Sequence, residues 1–385
     1  TADWSSSVTA DGGATITDKG FYYNKNGDPV STSGNYGVSR GSGLGAFSYS
    51  KTSLLPNTTY YVRAYAVNSK GTAYGALNTF TTSKATPAIT WNNPAAITYG
   101  TALSSTQLNA TARDVNSFGL AGSYTYYTNA AKTETAISKV LPVGTHTLYL
   151  VFEPTSADYT TAEKQVSITV NKATLTVTAE NKSKNYKDEN PEFTFSYSGF
   201  RNGDNEGVLT KLPTATTTAT VNSLAGMYTI VPANAEAANY TFTYINGTLT
   251  VNATKPVLAA TAISNLTATS VTWSSSVTSD GGAAITGRGF VHNTTGSPTT
   301  NDPKSSVSGG EGDFSTTRSS GLAPNTTYYV RAYATNAAGT SYGPQETFTT
   351  SGLPVVSATT VSNIAASTAT WSGEATSTGG LAITE

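Results

Sequence analysis

The string NTTYYVRAY occurs at 57–65 and again, letter for letter, at 325–333. Each copy follows a leucine placed two residues before a proline, Leu54 and Pro56 in the first, Leu322 and Pro324 in the second. Each then runs into a Gly-Thr turn and an aromatic-bearing stretch, GTAYG or GTSYG. Self-similarity at domain-sized spacing makes the chain an array of modules, so one module has to be understood first. Side chains alternate along a strand, which puts Tyr60, Val62, Ala64 and Ala66 on one face and Tyr61, Arg63, Tyr65 and Val67 on the other. The first face reads as core. Tyr60 then stands where a sandwich places a tyrosine whose ring is buried and whose hydroxyl bonds back to upstream backbone.

This pattern, L-x-P-x-T-x-Y-x-V-x-A-x-A, resembles the E to F corner and F strand of a fibronectin type III domain. A wider alignment supports it. TADWSSSVTADGGATITDKGFYY at the start matches TSVTWSSSVTSDGGAAITGRGFVH at 269–292, with Trp4 over Trp273, Asp11 over Asp280 and Phe21 over Phe290. In the later copy an additional strand, within KPVLAATAISNLTATS, precedes the match; in the first nothing does. A sandwich opening on its second strand leaves an unpaired sheet edge. The expectation is therefore that Thr1 is not the natural start of the polypeptide.

Five segments follow from this reading. Residues 1–82 are a fibronectin type III-like module without its first strand, and 254–350 a complete one. Residues 354–385 begin another, with Trp371 over Trp273, and stop at Glu385 before the strand that holds Phe290 in the complete copy, which suggests a window cut from a longer array. Residues 84–172, with ITWNNPAAITYGTALSSTQLNATA and VGTHTLYLVFEPTSADYTTAEKQVSITV, resemble bacterial immunoglobulin-like repeats. Leu148, Leu150 and Phe152, then Val166, Ile168 and Val170, alternate with more polar neighbours as in strands with one buried face. Residues 173–252, with LTVTAENKSKNY and GMYTIVPANAEAANYTFTYINGTLTV, resemble the MBG modules of bacterial surface proteins, a resemblance that implies a β-grasp-like fold. There Asp204 is placed to cap a short helix whose Val208, Leu209 and Leu212 face the sheet and which Pro213 ends; Gly207 inside it leaves an irregular turn as the alternative. The fold class is thus mainly all-β, tandem sandwiches with one small MBG module.

The junctions SKATP (83–87), NKA (171–173), NATKP (252–256) and SGLP (351–354) are too short to let modules tumble freely, and three contain proline. An extended rod is expected. Modules roughly 30–40 Å long, four in line, would reach about 120–160 Å.

Composition narrows the function classes. Charged residues are 12% of the chain, and 22 Lys and Arg against 23 Asp and Glu give a net charge of −1. That balance offers no electrostatic footprint for nucleic acid or an anionic membrane. There is no cysteine, hence no disulfide or thiolate metal site, and no apolar run near 18 residues, so no direct membrane insertion is expected in this segment. Only two histidines occur, His146 and His292, in different modules and without an Asp or Ser grouping beside them. No catalytic set is predicted. His146 shares a strand face with Leu148 and reads as a strand-end or core residue, and His292 as a surface residue of its strand.

Three acidic clusters offer oxygen ligands of the kind Ca²⁺ takes: Asp188, Glu189 and Glu192; Asp204 and Glu206; Glu311 and Asp313. None has EF-hand spacing, so turn capping outweighs structural calcium, and no cofactor is predicted. Asn-x-Ser/Thr triplets, for example at Asn57, Asn239 and Asn325, fit turn chemistry in a chain this rich in Asn and Thr. The candidate contact surface is Tyr61, Arg63 and Tyr65 with Tyr329, Arg331 and Tyr333, where aromatic faces beside arginine could stack on sugars or anchor a protein. Its rival is cross-strand packing against Tyr22, Tyr23 or Phe290, favoured because both copies carry it.

Together the modules resemble the repeat region of a large secreted or cell-surface protein of Bacteroidetes-like bacteria, such as an adhesin. The resemblance implies an extracellular location, type IX secretion and, for some such adhesins, gliding. The expectation is a non-enzymatic structural stalk that projects a distal domain. The alternatives are an array binding glycans or surface proteins by avidity, and spacers of a secreted glycoside hydrolase.

Overall fold

The computed structural model describes residues 1–30 and 35–380; the last five positions of the expected 354–385 module lie outside the described residues. The chain divides into two compact units. The first holds Thr1–Ala173 with Phe200–Val208 and Ala238–Thr241; the second holds Thr174–Gly199, Leu209–Ala237 and Phe242–Glu385. Among the described residues every regular element is a strand except one 3-10 turn, Glu206–Val208.

In the first unit, strand Ala2–Val8 pairs with Gly45–Lys51, and the second sheet runs Tyr36–Ser39, Asp18–Asn24, Thr59–Asn68, Gly71–Tyr74, with Asn78–Thr81 also on Thr59–Asn68. Trp4, Phe21, Tyr23, Phe47, Tyr60 and Val62 fill the space between. Period-two alternation produces this core: Phe21 stands opposite Ala64 and Tyr23 opposite Val62, all facing inward. Further along the same unit a four-stranded sheet runs Gly122–Tyr127, Gly144–Pro154, Ala162–Asn171, Ile97–Thr98, beside the pair Thr111–Arg113 and Ala88–Thr90. Leu148, Leu150 and Phe152 are fully buried, and Val166, Ile168 and Val170 nearly so, as their alternation predicts.

In the second unit, Gly247–Asn252 lies between Lys182–Asn185, with which it is parallel, and Gly226–Ala233. Ala179, Ala219, Ile230 and Leu249 make its core. The short helix expected after Asp204 is a single 3-10 turn followed at once by strand Leu209–Lys211. Leu212 is 62% exposed and does not face a sheet. The reason is local. Asn205, not Asp204, supplies the cap, its side-chain oxygen accepting the Gly207 N–H at 2.9 Å, and the backbone pairs with Glu236–Ala237 before a second helical turn can form.

The second fibronectin-like copy has all its strands. Val271–Ser279 is paired by Val257–Leu258 and Ala262–Ser264 on one side and Gly312–Arg318 on the other. The facing sheet runs Lys304–Val307, Gly287–Asn293, Thr327–Asn336, Gly339–Tyr342, with Glu346–Thr349. Trp273, Phe290, Val330 and Ala332 are fully buried at its centre. The following segment contributes two short pairs, Val355–Val356 with Ala375–Ser377 and Thr360–Ser362 with Thr370–Ser372. Trp371, the counterpart of Trp273, is 75% exposed there.

Candidate functional site

The tyrosine corner forms in both copies. The Leu55 N–H donates to the Tyr60 hydroxyl at 2.9 Å, and the Ala323 N–H donates to that of Tyr328 at 3.0 Å. Asn57 and Asn325 hold left-handed backbone at φ 47° and 49°, where Asn is among the few residues at ease.

On the opposite face, the aromatic and arginine residues are engaged within their own module. Tyr65 is buried, stacks on Tyr22 with centroids 4.4 Å apart, and donates its hydroxyl to Asp18 at 2.8 Å. Burial first, then this carboxylate, raise its pKa. Arg63 lies over Tyr74 at 5.6 Å, donates to the Gly75 carbonyl at 3.0 Å and pairs with Asp28 at 2.6 Å. The later copy repeats the scheme. Arg331 lies over Tyr342 at 4.8 Å and donates to Gly343 at 3.1 Å, while the Tyr333 hydroxyl meets Ser306 at 3.2 Å. Tyr61 and Tyr329 are half-buried beside them. The packing partner is Tyr22. Tyr23 and Phe290 belong to the inner face, because each is one residue out of phase with the outward side chains.

His146 sits at a strand start, its Nε2 2.8 Å from the Pro142 carbonyl oxygen. The surface position expected for His292 is overturned: it is 2% exposed, against Trp273 at 5.2 Å and Tyr328 at 5.9 Å. Two residues after Phe290, it must share that residue's inward face. Burial, then the nearby Arg318 charge, lower its pKa to about 4. It occupies the position of Tyr23 in the first copy.

The acidic residues serve local structure where they are bonded. Asp188 accepts the Asn185 N–H at 3.1 Å in an exposed turn, and Glu189, Glu192, Glu206, Glu311 and Asp313 are exposed. Among the described residues there is no group of three or more His, Cys, Asp or Glu arranged to hold a metal ion. Asp204 instead accepts the hydroxyls of Tyr99 at 3.0 Å and Tyr240 at 2.7 Å. The two rings meet edge to face, 5.6 Å between centroids, and the Tyr240 oxygen also accepts the Arg201 N–H at 2.8 Å. Burial, foremost, raises the Tyr99 pKa and takes that of Tyr240 to about 12, so both stay protonated donors. Nearby, Asn239 accepts the Val143 N–H at 3.1 Å. Sequence reasoning missed this joint, as it missed the buried cations. Lys19 donates to the Leu44 and Gly45 carbonyls at 2.9 and 3.3 Å, and Arg288, its counterpart, to those of Ser308, Gly310 and Gly312. Both sit over a phenylalanine, Phe47 and Phe314.

Residues 175–250 match the MBG domain family (YGX type). Among solved structures the chain is similar to a tetra-tandem repeat from the extending region of a large adhesion protein, at 12% identity and TM-score 0.35, covering 92% of this chain and 96% of that one. It is also similar to the FN1–FN3 domains of chicken CNTN1, at 13% identity and TM-score 0.21, covering 89% and 91%, and to a segment of titin, at 15% and 0.22, covering 91% and 93%. No curated protein sequence matches the chain. Among the described residues no helix is long and apolar enough to cross a membrane.

Proposed function

We propose that this chain is a structural stalk segment of a large bacterial cell-surface or secreted adhesin, carrying a distal functional domain outward. In this reading the modules divide at 1–82, 84–172, 173–252, 254–350 and 354–385, the chain catalyses nothing, and it acts outside the cell by length and stiffness. The observation that supports it is the cluster of Tyr99, Asp204 and Tyr240, where half-buried Asp204 accepts the hydroxyls of buried residues 105 and 36 positions away; in this reading the cluster lies where the 84–172 and 173–252 modules adjoin. A half-buried carboxylate with both hydroxyl partners in place resists bending, since parting them leaves the hydroxyls of the buried Tyr99 and Tyr240 without their acceptor. The Tyr-Arg-Tyr face supports the same reading, because Arg63, Tyr65, Arg331 and Tyr333 are already bonded within their own modules.

Small-angle scattering of the 385-residue chain tests the stalk. The expected radius of gyration is roughly 40 Å, that of a rod of about 140 Å, whereas a single globule of this length would give about 21 Å. The smaller value sinks the proposal. Binding to a glycan array at micromolar concentration would move the reading to a carbohydrate-binding array.

A further inference from the structure

Strands Ala88–Thr90 and Thr111–Arg113 pair as far as Thr90 opposite Thr111, and beyond that rung their chains part. The diverging stretches, 91–95 and 106–109, wall a cleft of about 460 Å³ that lies wholly within the first unit. Its base is fixed to the sandwich. Trp91 is buried, meets the Tyr126 ring edge-on at 5.2 Å, and donates its Nε1 to the Gln107 carbonyl at 3.0 Å, which ties one wall to the other. Three side-chain amides line the cleft, and each is held by one end. Gln107 Oε1 accepts the Ser104 N–H at 3.1 Å and its hydroxyl at 3.2 Å. Asn93 Oδ1 accepts the Ser167 N–H at 3.0 Å, and Asn109 Nδ2 donates to the Thr106 carbonyl at 3.1 Å. An amide carries its oxygen and its NH₂ on separate prongs, so two donors, Gln107 Nε2 and Asn93 Nδ2, and one acceptor, Asn109 Oδ1, remain. None of the three takes a partner among the described residues.

Gln107 matters most. It is 8% exposed, and a donor on so buried a side chain costs free energy unless something entering the cleft supplies an acceptor. Every residue lining the cleft is uncharged: beside the amides stand threonine hydroxyls and the apolar edges of Trp91 and Pro94. Such a lining suits a ligand that is neutral, whose hydroxyls both donate and accept, and whose C–H faces lie between them. A phosphate or carboxylate would find no cation here. An extended peptide would need an open run of backbone N–H and C=O groups, whereas the free groups are side-chain ends. We propose that this cleft is a subsite for a neutral oligosaccharide, with Gln107 and Asn93 donating to sugar oxygens and Asn109 accepting a sugar hydroxyl. The anchored amides spare part of the ordering cost, yet the polar contacts are few, so the dissociation constant is on the order of 1 mM. The site goes beyond the stalk reading and does not rest on it, since one weak subsite leaves the length of the chain and its scattering unchanged.

The test is NMR of the isotope-labelled 385-residue chain, reading side-chain amide and indole N–H signals as neutral gluco-, xylo-, manno- and galacto-oligosaccharides are added to about 10 mM. At least one of these sugars shifts the Gln107, Asn93 and Trp91 signals together and saturably, while an acidic oligogalacturonate does not. Asn93→Asp is the informative variant. Its carboxylate keeps an acceptor for the Ser167 N–H, the position is exposed, and the donor is gone. Melting therefore stays unchanged, and binding weakens about fivefold or more. Gln107→Glu keeps the acceptor for Ser104, removes the other donor and weakens binding by at least as much. Three results overturn the proposal: no saturable shift with any of the sugars, binding that Asn93→Asp leaves intact, or the same shifts produced by acetyl-tetraglycine amide and by none of the sugars.

Discussion

The two fibronectin-like copies are nearly the same text folded under different company. Trp4 and Trp273 stand at one position, yet Trp4 retains 7% exposure and Trp273 none. Strand Ala2–Val8 is paired by a single neighbour, Val271–Ser279 by three. The tyrosine corners, by contrast, are superimposable in their bonds, 2.9 and 3.0 Å to backbone five residues upstream. The corner depends on residues within one turn of chain, so both copies build it. Complete burial of the central tryptophan goes with strands from outside the shared text, Val257–Leu258 and Ala262–Ser264, which among the described residues pair with the second copy.

The largest expected effect sharpens that contrast. Trp273→Ala removes a fully enclosed ring and costs the second copy about 3–5 kcal/mol, while Trp4→Ala falls at the lower end of the same range, since its ring keeps 7% exposure. Urea unfolding followed by domain-resolved NMR reads both. Equal losses would mean that the strands pairing with the second side of Val271–Ser279 do not matter to the core.

Next comes pH. The folded-state pKa of His292, about 4, lies below its unfolded value of 6.5. The unfolded chain therefore binds a proton that the folded chain refuses. Stability is full above pH 6.5 and falls as pH drops toward 4, by up to about 3 kcal/mol. Arg318 adds to the cost of charging the ring, and Asp302 offsets part of it. Residues 1–82, with Tyr23 in that position, lack this term, and His292→Tyr removes it from 254–350. Denaturation midpoints at pH 7 and pH 5 check both statements.

Smaller effects follow from bonds rather than burial. Tyr60→Phe and Tyr328→Phe each forfeit one hydrogen bond to a backbone N–H, about 1 kcal/mol, and the two losses match because both corners are built from the same local residues. Thermal melts that differ strongly between the two would break that equivalence. Smallest is Asp28→Asn, which removes the Arg63 ion pair that the second copy lacks, Ser297 standing at that position. With Asp28 half exposed, the change is below about 1 kcal/mol and fades further in salt.

What can be read from the sequence is what period two and turn chemistry carry. The cores around Tyr60, Leu148 and Ile168, the corners and the equivalence of Trp4 with Trp273 all depend on neighbours along one strand or on visible repetition. His292 escapes because its ionisable type suggests the surface, although Phe290 two residues earlier fixes its face. Asp204 resembles a helix cap because its partners, Tyr99 and Tyr240, are 105 and 36 positions away and no local pattern announces them. Asn205, one residue on, does the capping. Lys19 and Arg288 share a visible motif, DKGF and GRGF, but nothing local says that their charges end among loop carbonyls rather than in water.

Amide hydrogen exchange of the 385-residue chain compares the two copies most directly. There, the amides of Val271–Ser279, held from both sides, exchange only through opening of the whole sandwich, while those of Ala2–Val8 that face away from Gly45–Lys51 exchange much faster. Equal protection along the two strands would contradict the account that pairing on a second side of the strand sets the two copies apart.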